Sequence, residues 1–101
     1  MKEELPYSLS VREYFEAGKA LLASTHPGHR DISEEQVPLG GRTAIKHVST
    51  ASLGTLTFEQ MQVYLVEGST GWVIACTVRL DWWSQYESIF DTVVGSFQLL
   101  D

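Results

Sequence analysis

The sequence predicts an α+β domain: an antiparallel four-stranded meander sheet with an N-terminal and a C-terminal helix packed on it. Three observations carry this. Residues 72–80 alternate with the two-residue period of a strand, placing Trp72, Ile74, Cys76, Val78 and Leu80 on one face and Val73, Ala75, Thr77 and Arg79 on the other. The period then turns helical. Stepping about 100° per residue puts Trp82, Trp83, Tyr86, Ile89, Phe90, Val93, Val94 and Phe97 within an arc of roughly 140°. The third observation is near the start of the chain, where Ser10 and Glu13 have the spacing of a capping box.

In chain order, residues 1–8 are expected to be a flexible N-terminus. Helix formation begins at Ser10, with Leu9 positioned to staple onto Tyr14. Val11, Tyr14, Phe15, Gly18, Leu21 and Leu22 share one helical face, opposite Arg12, Glu13, Glu16 and Lys19. Gly18 lies on the apolar face at a propensity cost of up to about 1 kcal/mol, which close approach to a sheet would offset. Pro27-Gly28 stops the helix near Ser24. Residues 30–37 are extended but polar, and Pro38 closes them, as suits a sheet edge. Gly40-Gly41 turns the chain into a strand over residues 43–51, and residues 52–55 turn it again. The next strand, over residues 56–66, points Met61, Val63 and Leu65 one way and Phe58, Tyr64 and Val66 the other. A loop over residues 67–71 leads to the last strand, and Asp81 is placed to cap the final helix.

The chain has 101 residues, enough for one domain with a single core. Its formal charge is −6, and the seven basic residues are scattered singly. Phosphate neutralisation needs a basic cluster, so neither nucleic acid nor an anionic membrane is an expected partner. No apolar run reaches the ~20 residues of a membrane span. A soluble protein is expected, cytoplasmic unless a signal peptide has been removed. Cys76 is the only cysteine, which excludes an intramolecular disulfide.

Four segments carry a family resemblance: residues 39–44 (Leu-Gly-Gly-Arg-Thr-Ala), 62–66 (Gln-Val-Tyr-Leu-Val), 71–77 (Gly-Trp-Val-Ile-Ala-Cys-Thr) and 90–97, which close in Ser96-Phe97. Together they resemble the PsbP-like and DcrB-like superfamily, whose fold is shared by a Ran-binding nuclear import factor. The resemblance implies an α/β/α sandwich and a non-catalytic role. Members include photosystem accessory proteins, secreted lipoproteins, a small-GTPase binder and chaperone-like adaptors. Such domains usually begin with strands ahead of the first helix, and none is apparent here.

Candidate chemistry is sparse. His26 and His29 flank Pro27-Gly28 with Asp31 nearby, while His47 falls on a separate strand. A metal centre needs three or four convergent ligands, so these read as solvated loop histidines and no metal or cofactor is expected. Cys76, between Ile74 and Val78, reads as a buried small hydrophobe rather than a nucleophile. Ser49, Ser52 and Ser69 lack an elbow motif, and Glu34-Glu35, adjacent on a strand, point to opposite faces. No catalytic residue is identified, and an enzyme is not expected.

The expected function is therefore a non-catalytic binding or accessory domain acting through protein–protein contact, with an unknown protein or a second copy as partner. The candidate contact residues are Trp83, at the margin of the final helix's apolar arc, with Trp72, Val73 and Arg79. Two alternatives stand beside it. One is a small hydrolase or isomerase with a cleft formed by His26, His29 and Asp31; the other is a structural fragment of a larger secreted or membrane-anchored protein. The last strand, apolar on both faces, should not be left as an open edge.

Overall fold

The structure, a computed structural model, describes residues 2–6, 8–25 and 28–95. The elements are β1 (Lys2–Glu4), α1 (Val11–Thr25), β2 (Arg30–Leu39), β3 (Arg42–Leu53), β4 (Leu56–Glu67), β5 (Thr70–Arg79), a 3-10 turn (Leu80–Trp82) and α2 (Trp83–Gly95). The sheet order is β1-β5-β4-β3-β2, antiparallel throughout. The sheet thus has five strands rather than the expected four. The extra one comes from the segment read as a flexible terminus, and it puts a strand ahead of the first helix. Lys2, Glu3 and Glu4 pair with Trp72, Gly71 and Thr70. Three polar residues carry no hydrophobic alternation, so only the neighbouring strand marks β1 out.

Adjacent residues of the long strands feed two cores. Tyr14 and Phe15 of α1 pack on Ile45 and Tyr64, with Leu5, Leu9, Val11, Val66 and Val73 around them. The alternate residues Ala44, Val48, Met61, Val63 and Leu65 join Leu39 beneath Trp83, Phe90 and Val94 of α2. The helices therefore lie on opposite faces of the sheet. The hairpin between β2 and β3 turns on Gly40 and Gly41, whose φ values of 58° and 78° match the right-handed twist of the paired strands.

Helix α1 begins as its sequence dictates. The Glu13 amide donates to Ser10 Oγ at 3.1 Å, and the Ser10 amide donates to Glu13 Oε1 at 3.0 Å. The backbone and then the side chain of Ser10 hold the Glu13 carboxyl below the usual range. The helix runs to Thr25; Pro27, expected to stop it, lies outside the described residues. Tyr14, Phe15 and Leu22 are buried as expected, whereas Leu21 is exposed.

In α2 the expected apolar arc is only half used. Trp83, Phe90 and Val94 rest on the sheet, but no residue of the helix is fully buried. Trp82, Tyr86, Ile89 and Val93 remain 43%, 38%, 52% and 49% exposed. Phe97 lies outside the described residues. Asp81 falls in the 3-10 turn, where its carboxylate accepts from Arg79 Nη2 at 3.4 Å instead of capping α2.

Candidate functional site

Beneath the C-terminal half of α1 the sheet is polar. His47 is fully buried on β3, and its Nε2 lies 2.8 Å from Asp31 Oδ1. His29 Nε2 lies 3.6 Å from the same oxygen. Lys19 of α1 reaches Asp31 Oδ2 at 3.5 Å and also bonds Glu34. Burial opposes ionisation of Asp31, but the His47 hydrogen bond and the Lys19 charge outweigh it and hold its carboxyl below the usual range. The Lys19 hydrogen bond does the same for Glu34, and Glu34 in turn raises the Lys19 ammonium.

A β-bulge creates this grouping. The β2–β3 register pairs Asp31 with Ser49 and Ser33 with Val48, leaving Ile32 extra, and then pairs Glu34 with His47. Asp31 and Glu34, three apart, would face opposite ways on a regular strand; the bulge turns both toward α1. Beyond it the alternation is regular. Glu34 faces Lys19, while Glu35 faces the other layer, where Lys46 lies 3.8 Å away. The two glutamates do point to opposite faces, as their adjacency required.

Sequence reasoning treated His29 as a solvated loop residue and set His47 apart. The structure corrects both readings. The His29 side chain retains 7% of its accessible surface, and one donor atom each from His29, Asp31 and His47 lies within 4.8 Å of the others. The signal missed was strand parity: His47, opposite Gln62 and near Tyr64, belongs to the α1 face of β3. His26 lies outside the described residues.

A cavity of about 400 Å³ opens beside this cluster, between α1 and the β1 end of the sheet. Tyr14, Gly18, Leu22, Tyr64 and Val73 line it, with Glu3 and Gln62 as polar groups. His29, Asp31 and His47 do not border it.

The four residues marked for partner contact are dispersed. Trp83 sits on the inner side of α2, edge-on to Phe90 at 5.6 Å, and donates from Nε1 to Glu87 at 2.8 Å. Trp72 packs half-buried in the α2-side core and Val73 on the α1 side. Arg79 lies over the Trp82 ring at 4.8 Å. Trp82, rather than Trp83, is the exposed indole.

The outward stripe of α2 has a definite direction. Asp91 pairs with Lys46 of β3 at 3.4 Å, and Glu87 raises the carboxyl of Glu59 on β4, secondary to that group's burial. That flank of the helix leans toward the sheet centre. Trp82, Tyr86, Ile89 and Val93 occupy the opposite flank, over the β5 edge. Along that edge β1 covers only Thr70, Gly71 and Trp72. Among the described residues, no strand pairs with residues 74–79 from that side.

No family model matches the chain, and neither does any curated protein. It is similar in structure to PA94 of Pseudomonas aeruginosa, a protein of unknown function suggested to be a regulator. The TM-score is 0.81 at 10% sequence identity, covering 100% of this chain and 83% of that one. At that identity the likeness establishes the fold alone.

Proposed function

We propose that this is a non-catalytic binding domain acting through protein–protein contact, and that a second copy of the chain is its first partner. One observation carries the reading: an apolar helix stripe lies beside a strand edge, residues 74–79, that no strand among the described residues covers. An uncovered edge of this kind recruits another strand. Two-fold antiparallel pairing of β5 with itself closes both edges and brings the two α2 stripes together on one face of a continuous sheet. The resemblance to PsbP-like and DcrB-like domains, which share an absence of catalysis, points the same way.

The hydrolase alternative fares worse on geometry. It needs His26, His29 and Asp31 to line a common cleft, but His29 and Asp31 do not border the cavity beside α1, and His26 lies outside the described residues.

Sedimentation equilibrium at tens of micromolar tests the proposal. A dimer is expected, and Tyr86→Glu with Ile89→Glu should yield a folded monomer, since both positions face solvent within one copy. A wild-type monomer at those concentrations would overturn the self-pairing.

A further inference from the structure

We propose that His29, Asp31 and His47 form a three-ligand site for a divalent transition-metal ion of the zinc class. The site is independent of the contact surface on α2. Two imidazoles and a carboxylate are the donor set that zinc and its neighbours favour, whereas calcium and magnesium favour all-oxygen shells. The donors already converge. Both histidine Nε2 atoms approach Asp31 Oδ1, at 2.8 and 3.6 Å, and one donor atom from each residue lies within 4.8 Å of the other two. Tetrahedral ligation with metal–ligand distances of about 2.0–2.1 Å sets donors about 3.3 Å apart, within reach of small side-chain rotations.

A second, separate observation points to a ligand. His29 Nε2 is buried and has no hydrogen-bond partner among the described residues, although it is directed at a carboxylate. A buried ring nitrogen in that state is costly unless something satisfies it. An ion between the two imidazoles and Oδ1 would do so. The surroundings fix the ligands: the Phe15 ring meets His47 edge-on at 5.3 Å, and Lys19 holds the outer oxygen of Asp31, leaving Oδ1 for the histidines.

The Lys19 charge opposes a cation, so the affinity should be micromolar, below that of a four-ligand structural zinc site. Three protein donors leave one coordination position for water. Because His29 enters β2 and His47 belongs to β3, the ion would clip the polar edge strand to the sheet.

The test uses the full chain, stripped with a chelator and titrated with Co²⁺, then melted with and without Zn²⁺. The expected result is one equivalent of Co²⁺ with the intense visible absorption of a low-coordinate site, and a Zn²⁺-dependent rise in Tm of roughly 5 °C. His29→Gln and Asp31→Asn should each weaken binding by at least ~10-fold. His29 precedes the strand, so its variant stays informative even if substitutions at buried His47 prevent folding. Glu35→Gln, on the opposite face, should bind as wild type does. Absence of both the cobalt spectrum and the Zn²⁺ shift overturns the proposal. So does His29→Gln binding with wild-type affinity, or Glu35→Gln abolishing it.

Discussion

The Tyr64 ring lies directly under Gly18, so close that a Cβ added there would sit 2.7 Å from Tyr64 Cε1. The glycine that weakens the helix is what lets α1 settle on the sheet. In an exposed helix Gly→Ala would add up to about 1 kcal/mol. Here the clash reverses the sign, and Gly18→Ala should cost about 1–3 kcal/mol. Urea denaturation of the variant, alone and in a Tyr64→Val background, checks this. The penalty should vanish once the ring is removed.

The two aromatic anchors are unequal. Phe15 is completely buried, whereas Phe90 is only partly covered by the sheet. Phe15→Ala should cost about 3–5 kcal/mol, and Phe90→Ala about 2–3 kcal/mol in the isolated chain. Asp91→Ala breaks only an exposed pair with Lys46 and should stay within about 0.5 kcal/mol of wild type. Denaturant midpoints in that order would support the assigned phase of α2; equal midpoints for Phe90→Ala and Asp91→Ala would contradict it.

The long elements were legible in the sequence because their patterns are strong. Alternation put Met61, Val63, Leu65, Trp72, Ile74 and Cys76 on the α2 side and Tyr64, Val66 and Val73 on the α1 side, and the Ser10–Glu13 cap formed as its spacing required. Leu80, expected to continue the last strand, falls instead in the 3-10 turn. What escaped were features that the local pattern does not encode. Strand β1 is three charged residues whose only cue is the edge they complete. The Ile32 bulge, invisible in a polar strand, decides that Asp31 and Glu34 share a face with His47. The α2 arc named the apolar residues but not how far the helix would roll, so Trp83 and Trp82 exchanged roles.

Burial, reinforced for Tyr14 by the Glu3 carboxylate, pushes the phenols of Tyr14 and Tyr64 up to about 12. The unfolded chain ionises them near 10. A raised folded value stabilises the fold below the unfolded value, and that contribution is lost as pH rises from about 10 to about 12. Stability should therefore fall across this window. Replacing both residues with Phe should flatten the dependence. Tyrosinate absorbance followed alongside denaturant midpoints provides the measurement.

Cys76 faces the α2-side core, and burial pushes its thiol up from the ordinary range. Thiolate is the reactive species, so alkylation at mildly alkaline pH should run about 10-fold slower in the folded protein than in urea. A folded-state rate above the unfolded one would instead mark an activated thiol.

The outer edge of β5 makes the last prediction, through backbone exchange. Along a strand, alternate amides point to the same side, so every second N–H in residues 74–79 is directed away from β4. Under dilute conditions those amides should exchange rapidly, while their neighbours bonded to β4 are protected to near the global stability. Raising the concentration into the dimer range should protect the outward set selectively. The Tyr86→Glu/Ile89→Glu variant should show no such change, because loss of the α2 stripe contact leaves both edges open. Outward amides exchanging rapidly at every concentration would mean that the strands do not pair, even if the chains associate by another surface. Slow exchange at high dilution would show the edge already covered within one chain, and the drive toward self-pairing would be gone.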